Sequence, residues 1–485
     1  MPSRSLLLLA AAAALLAAGC RGQESGPIEV SAIGAPPRIA NPSREPLDAA
    51  SAFLVESTAE GLVRFDAGGD IEPGLAQSWI ISNDGLRYTF RLARAKWPDG
   101  SPVTADQVVA RLKAAAGGTS RNPLRPVLGA IDDVEAMTDE VVEISLKSPR
   151  LNFLQLLAQP EMAILNGAQG IGPFVARPQP DGAFLLAPPQ RPEEEEAEPA
   201  APLTPVVLRG EAAPRAVARF AAGEADLVLG GTVADLPYAR AANLPVARLV
   251  FDPAAGLLGL SFGTHQGAVA KPEIRAALAM ALDRGAIVAA LGVPGLQPRE
   301  TLLPAGIEGL AAPAAPAWAA DPLPARRAAA FRLVAEAMKG APLRLRVALP
   351  EGPGFRLVFA FLRRDWAAIG VEAVRVGPAA PADLRLVDQV APAALASWYL
   401  RRFTCAASAI CDPVADQAMD NARNAPDQAA RRTFLAEADA RLAAATPYIP
   451  IAAPVRWSLV SVRLAGFRPN VFARHPGGEL VPATP

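Results

Sequence analysis

The sequence predicts a mixed chain, α/β or α+β, with strands and helices interleaved to its end, and three observations predict it. Leu86, Tyr88, Phe90 and Leu92 alternate with Arg87, Thr89 and Arg91, the two-residue period of a half-buried strand. "PEIRAALAMALDRGAIVAAL" places Ile274, Leu278, Leu282 and Ile287 on one helical face, opened by Pro272 where a missing amide costs nothing. "RLVFAFLRRDWAAIGVEAVRV", residues 356 to 376, reads as helix, glycine turn and strand in succession. At 485 residues, 51% of them hydrophobic, the chain can bury a large interior and divides into two or three domains.

The N-terminus reads as an address. Arg4 precedes the apolar run Leu6 to Ala18, shorter than the ~20 residues of a membrane-spanning helix, so residues 1–19 are expected to be a secretory signal. The run ends in Leu16-Ala17-Ala18-Gly19-Cys20, which resembles the bacterial lipobox. Cys20 is then the lipidated first residue of the mature chain and 20–26 its tether.

Residues 75 to 115 read as strand, hairpin turn, strand, turn and helix. Asn83-Asp84-Gly85 is the first turn and Pro98-Asp99-Gly100 the second, since proline presets φ, aspartate bonds nearby backbone and glycine accepts φ > 0. Thr104-Ala105-Asp106-Gln107 is a capping box, and Val108, Val109 and Leu112 form the apolar stripe of the helix it starts. Further on, 188–205 combines proline with an acidic run and should be an exposed loop. Residues 304–324 are a second proline-rich loop, packed by Trp318. "DQAARRTFLAEADARLAAAT" is a long helix stopped by Pro447, and "YIPIAAPVRWSLV" returns in extended form. The Asp283-Arg284 pair and Arg275 are expected to form a structural ion-pair network.

Composition excludes several chemistries. A net charge of −1 and a pI near 6.3 leave no basic face for nucleic acid. Once Cys20 is assigned to lipid, Cys405 and Cys411 remain, in an oxidising compartment; the pair is open to a disulfide, to two free thiols or to a metal pair. Metal is disfavoured because the two histidines, His265 and His475, lie far away and no CxxC or HExxH spacing occurs. There is no SxxK with its partners and no Walker A motif. We therefore expect no enzyme, no cofactor and no metal, and a secreted hydrolase is the least favoured reading.

The segment 59–109, "AEGLVRFDAGGDIEPGLAQSWIISNDGLRYTFRLARAKWPDGSPVTADQVV", resembles the signature of the extracytoplasmic solute-binding proteins, family 5, of peptide and nickel-type ABC transporters. "GIGPFVA", "FAAGEADLVL", "KPEIRAALAMALDRGAIV", "RRDWAAIGVEAV", "LAAATPYIPI" and "LAGFRPN" follow in the family's order. The resemblance implies an α/β, two-lobed periplasmic-binding-protein-like (type II) fold with an extra small domain on lobe I. It implies lobe I at 27–50, 170–258 and 456–485, the small accessory domain at 51–169 and lobe II at 259–455. Chain crossings near 255–262 and 450–458 would form the hinge on which the lobes close.

"FTCAASAICDPVADQAMDNAR" resembles the disulfide-bearing loop of the dipeptide-binding branch, shortened between Cys405 and Cys411. Counting back from Cys405, the branch's acidic residue for a peptide's amino terminus falls on Ala391. Counting back from Trp366 and Ile369-Gly370-Val371, its arginine for the carboxylate falls on Leu349 and a nearby tyrosine on Glu351. A charge-assisted hydrogen bond contributes roughly 1.5–3 kcal/mol, so losing both anchors disfavours a free dipeptide. Asp388, three positions from Ala391, is the substitute candidate. Ile33, Gly34 and Ala35, at the exit of the first strand, are expected to face the cleft and pair with an extended ligand; Trp398 and Tyr399 are expected to line it.

The implied function is a monomeric, lipid-anchored receptor in the periplasm or cell envelope, passing a peptide or other small solute to ABC permease subunits. A transport-deficient sensor or scaffold of the same fold is the alternative.

Overall fold

The computed structural model describes residues 26–189 and 203–481. The signal and lipidation readings at 1–19 and Cys20, and most of the acidic loop, lie outside the described residues.

Two sheets organise the molecule. The seven-stranded sheet has the order Leu249–Asp252, Arg456–Val460, Leu227–Gly231, Ile28–Ile33, Val206–Glu211, Phe184–Ala187, Val175–Pro178. Its centre is parallel: Ile28–Ile33 pairs with both Val206–Glu211 and Leu227–Gly231, and helix Ala213–Ala221 makes the crossover. Ile28, Val30 and Ala32 are buried, and so is Ser31 on the opposite face, whose hydroxyl donates to Glu211 Oε1 at 2.5 Å. The five-stranded sheet has the order Val371–Val376, Leu343–Ala348, Leu384–Val390, Gly256–Phe262, Tyr448–Ala452. The chain passes between the sheets twice, from Leu249–Asp252 to Gly256–Phe262 and from Tyr448–Ala452 to Arg456–Val460.

A four-stranded antiparallel sheet, Ala76–Ile81, Arg87–Leu92, Val141–Leu146, Ile131–Thr138, stands beside these. Here the local sequence signals hold. Gly85 and Gly100 take φ of +70° and +87°, and Tyr88, Phe90 and Leu92 point into the core. Helix Ala105–Ala116 starts with the capping box, Gln107 Oε1 accepting from Thr104 N at 3.1 Å and from Trp97 Nε1 at 3.0 Å. Val108 and Leu112 bury its stripe. This core is not self-contained, for Ala393, Leu395 and Phe472 complete it.

Two expectations are corrected. The segment opened by Pro272 is two helices, Pro272–Ala281 and Arg284–Leu291, because Leu282 is extended and Asp283 Oδ1 caps the second by accepting from Ala286 N at 2.9 Å. Ile274, Leu278, Leu282 and Ile287 are nonetheless all buried. Arg275 and Arg284 do not pair with Asp283: Arg275 donates to the carbonyls of Ala445, Val269 and Ala270, and Arg284 to those of Pro450 and Ala279, with Glu300 3.7 Å away. Arg275 stitches loops to the core, whereas Arg284 and Asp283 enter two separate ion-pair clusters, Arg284 with Glu300 and Arg326 and Asp283 with Arg364. Trp318 packs the proline-rich loop, with the Arg284 and Arg326 guanidinium carbons 5.6 and 5.5 Å from its ring centre. The long helix is Gln428–Ala445, ended by Thr446 at φ +49° just before Pro447.

On that helix, Asp439 is 3% exposed; Oδ2 accepts from Ala314 N at 2.7 Å, while Oδ1 is buried without a partner. Burial pushes its pKa up to about 6, the Ala314 hydrogen bond opposing. A carboxyl raised on folding stabilises fully below its ordinary value, and that contribution is lost as pH rises through the folded pKa. We predict that Asp439→Asn gains about 1–3 kcal/mol at pH 8 and flattens the decline in Tm between pH 4 and 6, measured by calorimetry across that range.

Candidate functional site

A cavity of about 950 Å³ opens where the two sheets and the small domain meet. Its first wall is helix Ala49–Thr58, capped by Asp48 Oδ1 accepting from Ser51 N at 2.8 Å. Ala49, Phe53 and Glu56, at helical spacing, reach the cavity, while Ala50, Leu54 and Ser57 are buried behind them. The strand end Leu229–Thr232 continues this wall. A Cβ at Gly231 would overlap the Trp457 ring, so glycine lets Trp457 lie flat against the strand, where its Nε1 donates to Thr232 O at 2.8 Å.

The floor is an ion pair. Asp388, in the five-stranded sheet, accepts from Arg456 of the seven-stranded sheet, Nη1 to Oδ1 at 2.7 Å and Nη2 to the Asp388 carbonyl at 3.3 Å. The side chains are 11% and 17% exposed.

A third wall comes from the C-terminal segment around Asn470, which is 2% exposed. Asn470 Oδ1 accepts from Phe472 N and Arg474 N at 3.1 and 3.3 Å, its Nδ2 donates to Ala67 O at 3.3 Å, and its N donates to Asp252 Oδ1 at 3.0 Å. So wound, the segment presents Phe472, Arg474 and His475. Arg474 pairs with Glu161 at 3.2 Å and reaches Gln159 at 3.3 Å; His475 Nε2 lies 3.3 Å from Asp252 Oδ2, its ring stacked on Phe467 and its Nδ1 buried without a partner. Glu56 has no hydrogen-bond or ion-pair partner among the described residues. Burial raises its pKa, with Arg474 and His475 acting against that and Glu161 reinforcing it.

The fourth wall is helix Ala396–Arg401 with the loop after it, contributing Trp398, Arg401, Arg402 and Phe403, then Ala407, Ser408 and Ala409 from inside the Cys405–Cys411 disulfide ring. Its position depends on Glu308, whose Oε2 accepts from Ala396 N at 2.7 Å while Oε1 pairs with Arg431 at 3.2 Å, both side chains 1% exposed. Arg402 Nη1 donates to Gln389 Oε1 at 2.6 Å and Arg385 to the carbonyls of Pro378 and Ala380 at 2.6 Å. Burial lowers Arg401 to about 10, with the Arg423 and Arg431 charges adding to it and Asp420 and Asp416 opposing. Among the described residues no group of three or more His, Cys, Asp and Glu side chains could hold a metal ion.

Of the ligand-binding residues expected from sequence, Asp388 and Trp398 line the cavity, and Ile33, Gly34, Ala35, Glu351 and Tyr399 do not. Asp388 has already committed its carboxylate to Arg456. Tyr399 points the other way, 1% exposed in the core, where its ring meets Trp398 edge-on. Adjacent residues on a helix face different directions, so only one of the two aromatics can reach the cleft. Glu351 is 74% exposed and paired with Arg375 at 3.2 Å. Ile33, Gly34 and Ala35 lie off the cavity, Ile33 packed on the core and Gly34 N bonded to Glu211 O at 3.0 Å. Ala391 lines the cavity and Leu349 is buried. Glu56, Arg402, Arg456, Trp457 and Arg474 escaped sequence reasoning. Glu56 carried a signal: it is the lone charge in the helix AASAFLVEST.

The family model for bacterial extracellular solute-binding proteins, family 5, matches residues 70–199 and 203–402. The nickel-binding periplasmic protein of Escherichia coli is 34% identical over 109 residues, 22% of this chain and 21% of that protein. The first curated relatives are each covered over less than a quarter of their own length. Among solved structures, Haemophilus influenzae OppA in complex with RPPGFSPFR aligns at TM-score 0.82 and 20% identity, covering 96% of this chain and 100% of that one. The Escherichia coli murein tripeptide binding protein MppA aligns at TM-score 0.79 and 20% identity, covering 95% and 98%. The two-lobed periplasmic-binding fold is therefore that of this chain.

Asp388→Ala strands the Arg456 charge in the seam, and the loss should be about 3 kcal/mol in urea unfolding. Glu351→Ala should stay within about 0.5 kcal/mol.

Proposed function

The chain belongs to the bacterial extracellular solute-binding proteins of family 5, and from that premise we propose that it is the extracytoplasmic receptor of an ABC importer, capturing a peptide or peptide-like solute between two lobes and delivering it to a membrane permease. The observation that carries this reading is the position of the cavity: it lies across the seam of two sheets joined by two chain crossings, where a hinge motion would change its shape. Its volume is at the upper end of the ~300–1,000 Å³ range of small-ligand sites, which favours a short peptide over a long one. RPPGFSPFR in a structural relative indicates the kind of guest such a fold accepts.

In this reading lobe I comprises 27–50, 170–258 and 456–485, the accessory domain 51–169 and lobe II 259–455. The expected hinge segments 255–262 and 450–458 narrow to 253–255 and 453–455, and the lobe boundary at 258 moves to 255, because Gly256–Phe262 and Tyr448–Ala452 are strands of the five-stranded sheet. The Asp388–Arg456 pair is its pivot. Cys20 carries the lipid that holds the monomer at the membrane beside its permease, and no chemistry is performed on the guest.

The test is closure coupled to transport. Mass spectrometry of the solute that co-purifies should find a peptide-like molecule. Adding it back should shrink the radius of gyration in small-angle scattering and stimulate ATP hydrolysis by the reconstituted transporter. Closure without stimulation would favour the sensor reading; cleavage of the solute would overturn both.

A further inference from the structure

The charges around the cavity are unevenly spent. Three carboxylates line the cavity beside Arg474 and the His475 imidazole: Glu56 on helix Ala49–Thr58, Glu161 in the turn Pro160–Met162 and Asp252 at the end of strand Leu249–Asp252. Arg474 is held by both Glu161 oxygens, at 3.2 and 3.4 Å, and His475 by Asp252. Glu56 is what remains, a partly buried carboxylate with no protein donor among the described residues. The opposite wall has the reverse surplus. Arg385, Arg401 and Arg402 line it with no carboxylate within ion-pair distance among the described residues, and Asp388 is taken by Arg456. Arg385 turns both terminal nitrogens onto loop carbonyls and Arg401 one onto Met419 O, whereas Arg402 meets only the neutral Gln389. A cavity polarised in this way selects a guest with a cation at one end and an anion at the other, because only such a guest satisfies both walls without stranding a buried charge.

Resting on the receptor reading above, we infer that Glu56 and Arg402 are opposed specificity anchors, Glu56 accepting from the cationic end of a zwitterionic solute and Arg402 donating to its carboxylate. The guest then lies across the seam, cation toward helix Ala49–Thr58, which packs on the seven-stranded sheet, and anion toward lobe II, so each end is gripped by a different half. Binding therefore pulls the lobes together. The positions Ala391 and Leu349 need no charge, since the anchoring has moved to other walls of the same cleft.

The probe is a mixed library of tri- to pentapeptides in three forms, with free ends, N-acetylated and C-amidated, scored by affinity-selection mass spectrometry on the full mature chain. The wild-type protein should retain the free form ~10-fold or more over either capped form, the size of one charge-assisted contact. Glu56→Gln should abolish discrimination against acetylation while keeping that against amidation, and Arg402→Gln the converse. Because each variant is compared with itself across the three forms, partial loss of folded protein does not imitate the result. If the wild type retains all three forms equally, or the variants keep wild-type discrimination, the anchor assignment is overturned while the receptor reading stands. If it retains none of them, the peptide-receptor reading falls and takes the assignment with it.

Discussion

The contact between Arg456 and Asp388 is the constraint on which the site depends. Each residue belongs to a different sheet, and the sheets are joined by only two short crossings, so the pair fixes how the halves meet at the floor of the cleft. Its side chains are largely out of water, where a lone charge would be costly and a well-made pair offsets that cost. The second Arg456 nitrogen reaches the Asp388 carbonyl, so side chain and backbone are held together. A ligand above this floor meets no free charge from it.

The walls follow the same logic of satisfied and unsatisfied groups. Two buried polar side chains that build the scaffold are fully engaged: Asn470 organises its turn with both ends of its amide, and Glu308 joins Arg431 to the start of helix Ala396–Arg401. Those facing the cavity divide into neutralised pairs and a few uncommitted groups. Rigid saturated groups behind and uncommitted groups in front are what a preorganised binding site requires, since ordering costs have been met before the ligand arrives.

Local pattern made much of the fold legible. The alternation at 86–92, the turns at Gly85 and Gly100, the capping box at Thr104 and the glycine turn at 370 each depend on residues a few positions apart, and each forms as read. The break at Leu282–Asp283 was also written locally, as an aspartate able to cap, but the unbroken apolar stripe across it masked the signal. The ordered family motifs conveyed the two-lobed class, which the solved relatives bear out.

The site was legible only in part, and the reason is range. Sequence by itself determined that Trp398 is aromatic, that Asp388 is acidic and that Cys405 and Cys411 stand six apart; it could not say that Asp388 is neutralised by Arg456 68 residues away, or that Tyr399 turns into the core. Arg474 reaches Glu161 across 313 positions and His475 reaches Asp252 across 223. Periodicity and capping arise within one or two turns of backbone and leave a trace in the chain. Which charges cancel and which stay free is decided by where distant strands come to rest, and only the tertiary structure sets that.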